Sequence, residues 1–237
     1  MAGHSKWANI KHRKDRADRK KGKIFSRIMK EIISAVKQGG PDQKSNSKLR
    51  IAVQKAKEAN LPNENIDRNI KKAASADQHD FDEMTYELYG YGGVGIIVDG
   101  MTDNKNRFAS DIRIATNKRG GTVAMPGAVA YNFDRKGVIR IPKGSNSEDD
   151  LFMLVSDAGA EDFAADDDHF VVTMRVDSFP TVKTAIEKAN IKIDEAALEM
   201  VPKTFVEVSE EDGNNNIALI EWLENLDDVD AVYHNMK

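Results

Sequence analysis

Lys6, Lys11, Arg13, Lys14, Arg16, Arg19, Lys20 and Lys23 crowd the start of the chain, with Trp7, His4 and His12 among them and Arg27 one helical turn further on. Their chemistry is charge neutralisation. Lysine and arginine replace the counterions of a phosphate backbone, and a tryptophan set among them offers its ring to an unpaired base or a sugar. Residues 1–30 hold eleven Lys and Arg against Asp15 and Asp18, a local charge of +9 on a chain whose net charge is −4. The polarity extends further, since residues 1–75 carry +13 and residues 76–237 carry −17. A cationic segment on an acidic body calls for an anionic partner, and nucleic acid fits best. A merely solvated tail leaves Trp7 unexplained, because it has no core to join there. A membrane surface fits poorly: residues 11–23 include only Ala17 as an apolar side chain, so no amphipathic face can insert. The candidate contacts are therefore Lys6, Trp7, Lys11, His12, Arg13, Lys14, Arg16, Arg19, Lys20, Lys23 and Arg27. Arg107 and Arg113, near Lys118 and Arg119, form a candidate second contact. The preference of helix C-termini for cations explains Lys118 and Arg119 better than Arg107.

Other patterns fall short of chemistry. Gly90-Tyr91-Gly92-Gly93-Val94-Gly95 matches the G-x-G-x-x-G dinucleotide fingerprint. That mechanism needs a helix N-terminus directly after the glycines, and here Ile96-Ile97-Val98 reads as a strand. The glycines are instead expected to form a tight turn between residues 84–88 and 94–101. Asp166-Asp167-Asp168-His169 lacks EF-hand spacing and reads as a hairpin turn. Asp99, Asp103 and Asp111 suggest a two-metal nuclease, but Asp103 and Asn104 also suit the cap of the following helix. Ser5 has no strand-turn-helix to make it a nucleophile. No catalytic constellation, metal site or cofactor is expected.

The positioning elements fall into three groups. Ile24, Phe25, Ile28, Met29, Ile32 and Val36 form an apolar stripe at helical spacing, ended by Gly39-Gly40-Pro41. Leu49, Val53 and Ala56 mark a second helix. Ile66, Ile70 and Ala73 mark a third, capped by Asn63. Residues 1–20 read as an exposed arm and residues 74–82 as a linker. Residues 137–201 then alternate in the order β-α-β-β-α-β, the ferredoxin-like plan. Their flanks repeat it: residues 94–101, 106–119 and 129–133, then 204–208, 215–226 and 229–234. The expected fold is α+β: an N-terminal three-helix domain with a basic arm over 1–75, a discontinuous ferredoxin-like domain over 76–136 and 202–237, and a second ferredoxin-like domain over 137–201 inserted in it. With no cysteine, no secretory signal and no apolar run of membrane-spanning length, the chain is expected in the cytoplasm. Oligomeric state is not legible.

Ala2-Gly3-His4-Ser5-Lys6-Trp7-Ala8-Asn9-Ile10-Lys11-His12-Arg13-Lys14 resembles the opening signature of the YebC/PmpR family, which includes the mitochondrial translational activator of cytochrome c oxidase. Gly22-Lys23-Ile24-Phe25, Asn104-Lys105-Asn106-Arg107, Gly120-Gly121, Val129-Ala130-Tyr131 and Tyr233-His234-Asn235 extend the resemblance along essentially the whole chain. Family members usually carry a glycine and a proline where this chain has Leu88 and Tyr91. The resemblance implies a helical domain followed by two ferredoxin-like domains. In function it implies a DNA-binding transcriptional regulator or, alternatively, a translation factor that binds RNA and the ribosome and relieves difficult stretches such as consecutive prolines. The residues show no helix-turn-helix with a clear recognition helix. An arm of Lys, Arg and Trp reads phosphates and unpaired bases better than base-pair edges.

Overall fold

The computed structural model describes residues 13–75, 80–144, 147–166 and 168–237, with side chains from Gly22 onward. Three helices come first: α1 (Arg13–Gly39), α2 (Ser47–Glu58) and α3 (Asn63–Ala73). Ile28, Ile32, Val36, Leu49, Val53, Ala56, Ile66 and Ala73 bury themselves between them. Phe25, Met29 and Ile70 are only partly buried against this core, and Ile24 stays exposed. Gly40, at φ 81°, ends α1. Asn46 then ties the corner: its Oδ1 accepts from the Leu49 N–H at 3.0 Å and its Nδ2 donates to the Ala35 and Gly40 carbonyls. The third helix lacks the expected Asn63 cap. Pro62 occupies that position without a side-chain hydrogen bond, and its φ of −60° leads the chain into the helix.

Two four-stranded antiparallel sheets follow. The first, ordered β3-β1-β2-β8, combines β1 (Asp82–Tyr89), β2 (Gly95–Thr102), β3 (Thr122–Val123) and β8 (Val229–His234), and is backed by α4 (Lys105–Arg119) and α7 (Glu210–Glu224). Leu88, Ile96, Val98, Phe108, Ile112, Leu219 and Leu223 fill the space between sheet and helices. The second, ordered β5-β6-β4-β7, is built from β4 (Phe133–Pro142), β5 (Asp162–Ala165), β6 (His169–Arg175) and β7 (Glu195–Pro202), with α5 (Glu148–Asp157) and α6 (Phe179–Lys188) packed on one face. Its element order is the expected β-α-β-β-α-β, and the whole run lies between β3 and α7. The second sheet has the ferredoxin-like strand order directly, and the first keeps the same layout of four antiparallel strands backed by two helices, with β1, which precedes β2 in the chain, in the place expected for the 204–208 strand.

The flanking sheet departs from expectation in two places. Residues 129–133 do not supply its edge strand: Ala130–Asn132 is a 3₁₀ turn and Phe133 already begins β4. The edge strand is the two-residue β3, paired with Leu88 and Tyr89, and Pro126 and Gly127 (φ 85°) turn the chain away after it. Residues 204–208 form no strand either, apart from a parallel bridge between Val206 and Met236. β1 and β8 already flank β2 on both sides, so no edge of that strand is left for them.

The glycine-rich turn between β1 and β2 forms as expected. Gly92 and Gly93 sit at φ 66° and 80°. The fully buried Asn216 of α7 clamps the turn, its Oδ1 accepting from the Tyr91 N–H at 2.8 Å and its Nδ2 donating to the Tyr91 carbonyl at 3.0 Å. Leu88 and Tyr91, the two departures from the family pattern, are both used. Leu88 is fully buried in the core, and the Tyr91 ring lies over Gly120, where any Cβ would collide with it.

On the sheet face opposite its helices, Glu87 organises the 127–130 loop. Its carboxylate accepts from the N–H groups of Gly127, Val129 and Ala130 at 2.6, 2.6 and 2.7 Å. Burial alone would raise this carboxyl, but the three donors outweigh it and hold it below the usual range. Ile97, Val129 and Phe133, joined by Met200 and Tyr233, form a small core where the two sheets meet.

Candidate nucleic-acid interface

Lys6, Trp7, Lys11 and His12 lie outside the described residues. Arg13, Lys14, Arg16, Arg19 and Lys20 fall on the backbone of α1, so the stretch from Arg13 on, expected as part of an irregular arm, is helical. Lys and Arg are good helix formers, and lengthening a helix already nucleated in a packed core costs little. Seven of the eleven residues 13–23 are Lys or Arg. At 1.5 Å per residue this basic stretch advances about 15 Å along the axis.

The root of that helix is fixed in the body. Lys23 donates to the Leu226 and Val229 carbonyls at 2.7 and 2.6 Å. One turn on, Arg27 reaches Asp230 at 3.4 Å and Glu31 at 3.3 Å. Lys30, buried, donates to the Met101 and Asp227 carbonyls at 2.7 and 3.1 Å and lies 3.9 Å from Asp230. Lys23 and Arg27 were expected on nucleic acid, and the structure gives them intramolecular partners that position α1. Burial lowers the Lys23 ammonium from its ordinary value, with Asp230 opposing. Burial likewise pushes the Asp230 carboxyl up, and Arg27, Lys30 and Lys23 only partly hold it down.

The same loop captures Arg107. Its guanidinium donates to Asp228 at 2.8–3.0 Å and to Asp103 at 2.7 Å. The Asp228 and Asp230 side chains are only 6% and 5% exposed, a burial that ionised carboxylates tolerate only when paired. Arg107 is therefore held by the fold, whereas Arg113 stands exposed on α4. Sequence reading missed Lys30, Asp228, Asp230, Glu87 and Asn216. The run Asp227-Asp228-Val229-Asp230 showed only as charge, because its cationic partners on α1 lie about two hundred positions away.

The rejected motifs resolve into architecture. Asp166 closes the β5–β6 hairpin, its carboxylate accepting from the Asp168 and His169 N–H groups. Asn104 caps α4 through the Arg107 N–H, and Asp99 accepts from the Thr85 hydroxyl. Among the described residues no three His, Asp or Glu side chains gather to hold a metal, and no helix is long and apolar enough to cross a membrane.

The chain thus carries a helical domain with a basic helix, followed by two four-stranded antiparallel sheets, the second nested in sequence within the first. Residues 5–76 match the family model for the TACO1/YebC protein N-terminal domain, and residues 81–236 match that for the TACO1/YebC second and third domain; the chain belongs to this family. A probable transcriptional regulatory protein of Protochlamydia amoebophila is 67% identical over 237 residues, covering 100% of this chain and 97% of its own length. One from Chlamydia trachomatis serovar L2 is 60% identical, with full coverage of both chains. The crystal structure of a conserved hypothetical protein from Aquifex aeolicus superposes with a TM-score of 0.82 at 39% identity, over 98% of this chain and 97% of that one.

Proposed function

We propose that this protein is a non-enzymatic, nucleic-acid-binding regulator of gene expression that grips phosphates with the basic N-terminal stretch, residues 6–20. The observation that carries the reading is a helix with seven cations in eleven residues whose root is bolted to the body by Lys23, Arg27 and Lys30. Anchoring holds the charged stretch in one direction, so binding a strand does not have to pay again for ordering it. The names of the relatives, probable transcriptional regulatory proteins, favour DNA as the ligand. A second reading, an RNA- and ribosome-binding translation factor, draws support from Trp7 and from the Arg119 cation stacked on Trp222, which suit unpaired bases better than a duplex.

Replacing Lys11, Arg13, Lys14, Arg16, Arg19 and Lys20 by glutamine tests the grip. With about six phosphates contacted, the wild-type log–log salt slope is expected near −5 on duplex DNA and about −4 on a single strand, and the variant should lose most of it. Undiminished binding by the variant would end the proposal. Ultraviolet crosslinking in cells, followed by sequencing of the attached nucleic acid, separates the two readings. Promoter DNA enriched above background supports transcription; ribosomal and transfer RNA support translation.

A further inference from the structure

The C-terminal end of α4 lies against the second half of α7, leaving an open groove of about 330 Å³ lined by Arg119, Ala218, Glu221, Trp222, Asn225 and Leu226. The Arg119 guanidinium lies over the Trp222 ring, 5.1 Å from its centroid. Arg27, Arg107 and Arg140 each have a carboxylate partner in the fold. Arg119 has neither an ion pair nor a hydrogen bond among the described residues, although Glu221 lines the same groove. The cation–π contact thus holds the guanidinium over the ring while no described residue takes its N–H donors. A guanidinium so presented can take a phosphate through its edge and a nucleobase against its open face.

The groove adjoins the basic helix. Leu226, which lines it, gives its carbonyl to the Lys23 ammonium at 2.7 Å. The C-terminal end of α7, otherwise a negative pole facing any approaching phosphate, therefore carries a bound cation. From Lys23 the charge runs back along α1 through Lys21, Lys20 and Arg19.

We infer that the Arg119–Trp222 groove is a second subsite for the strand held by α1, taking the phosphate and base of one unpaired nucleotide. This rests on the proposed function above. Arg119 then does more than favour a helix C-terminus. Glu221, as the carboxylate in the groove, limits the affinity.

The chain has two tryptophans, Trp7 and Trp222, so a Trp7→Phe protein reports on the groove by fluorescence alone and serves as the reference. Single-stranded RNA and DNA of one sequence, end-labelled, are titrated in while label anisotropy and Trp222 emission are both read. The expected result is an emission change that saturates together with anisotropy. Arg119→Ala should weaken binding about tenfold, the loss of one stacked base. It should also flatten the single-strand salt slope by about 0.7. Arg119→Lys should restore the slope without the full affinity, and Glu221→Gln should tighten binding about twofold, as expected for removing one like charge. Whichever strand gives the emission change is the ligand. Binding seen by anisotropy with silent Trp222 and no effect of Arg119→Ala overturns the subsite and leaves the α1 grip intact. No binding of either strand or of duplex overturns both.

Discussion

Lys30→Met removes a buried cation that joins the helical domain to the first sheet, and its cost can be worked from the contacts. The ammonium makes two hydrogen bonds, to the Met101 and Asp227 carbonyls at 2.7 and 3.1 Å, and faces Asp230 at 3.9 Å. Hydrogen bonds from a charged donor contribute about 1.5–3 kcal/mol each. Methionine keeps the apolar stem and needs no desolvation of an ammonium, which returns part of the loss. The net expectation is about 3 kcal/mol, near the low end for breaking a buried ion pair from one side. The loss also has a pH signature. Burial already raises the Asp230 carboxyl, and without Lys30 it should rise further. A carboxyl raised in the folded state costs stability as pH climbs from its ordinary value of 3.8 through the folded one, because there the folded chain holds the extra proton. The Lys30→Met penalty should therefore be largest at neutral pH and smaller at pH 4. Urea unfolding followed by far-ultraviolet circular dichroism and, in a Trp7→Phe background, by Trp222 emission provides the assay. Circular dichroism should acquire an early transition from the three helices, ahead of the Trp222 transition in the sheet domain. Coincident transitions with an unshifted midpoint, or a penalty that does not vary with pH, would refute the anchoring role.

Glu87→Gln should cost about 2–4 kcal/mol at pH 7: one oxygen can no longer accept, an N–H of the 127–130 loop is left facing an amide NH₂, and the remaining bonds lose their charge. Because the Glu87 carboxyl is held below 4.5, its contribution is present above that value and disappears as pH falls through the folded one. The gap between wild type and variant, measured by denaturation across pH, should therefore narrow in acid; a constant gap contradicts the assignment. Asn216→Ala strips both polar partners from Tyr91 inside the core and should cost about 2–3 kcal/mol. Hydrogen exchange should show the Tyr91 amide losing protection first, and an unchanged exchange rate there would count against the clamp.

Local pattern carried much of this protein into view. The 3.6-residue stripe of Ile28, Ile32 and Val36 predicted the buried face of α1, and residues 137–201 announced β-α-β-β-α-β through alternating strand and helix signals, because each such element hides one face at its own period. The basic stretch was legible as charge. What misled was the edge of each signal. Ile24 continues the stripe but lies exposed, and Arg13–Lys20 has Ala17 as its one apolar residue yet is helical, since a core elsewhere nucleates the helix. Residues 204–208 have strand composition, but strand pairing depends on a free edge, and β1 had taken it.

Composition and periodicity by themselves determined the polarised charge, the helical and ferredoxin-like pieces, and the concentration of cations in the N-terminal residues, all properties of residues near one another in the chain. Which cations are committed to the fold was decided only in three dimensions. Lys23, Arg27 and Arg107 look like Arg119 in sequence, but among the described residues it is the first three that Asp228, Asp230 and the carbonyls of the loop after α7 take as partners. A buried carboxylate or carbonyl claims whichever cation the fold brings beside it, and that choice is made across about two hundred residues of chain.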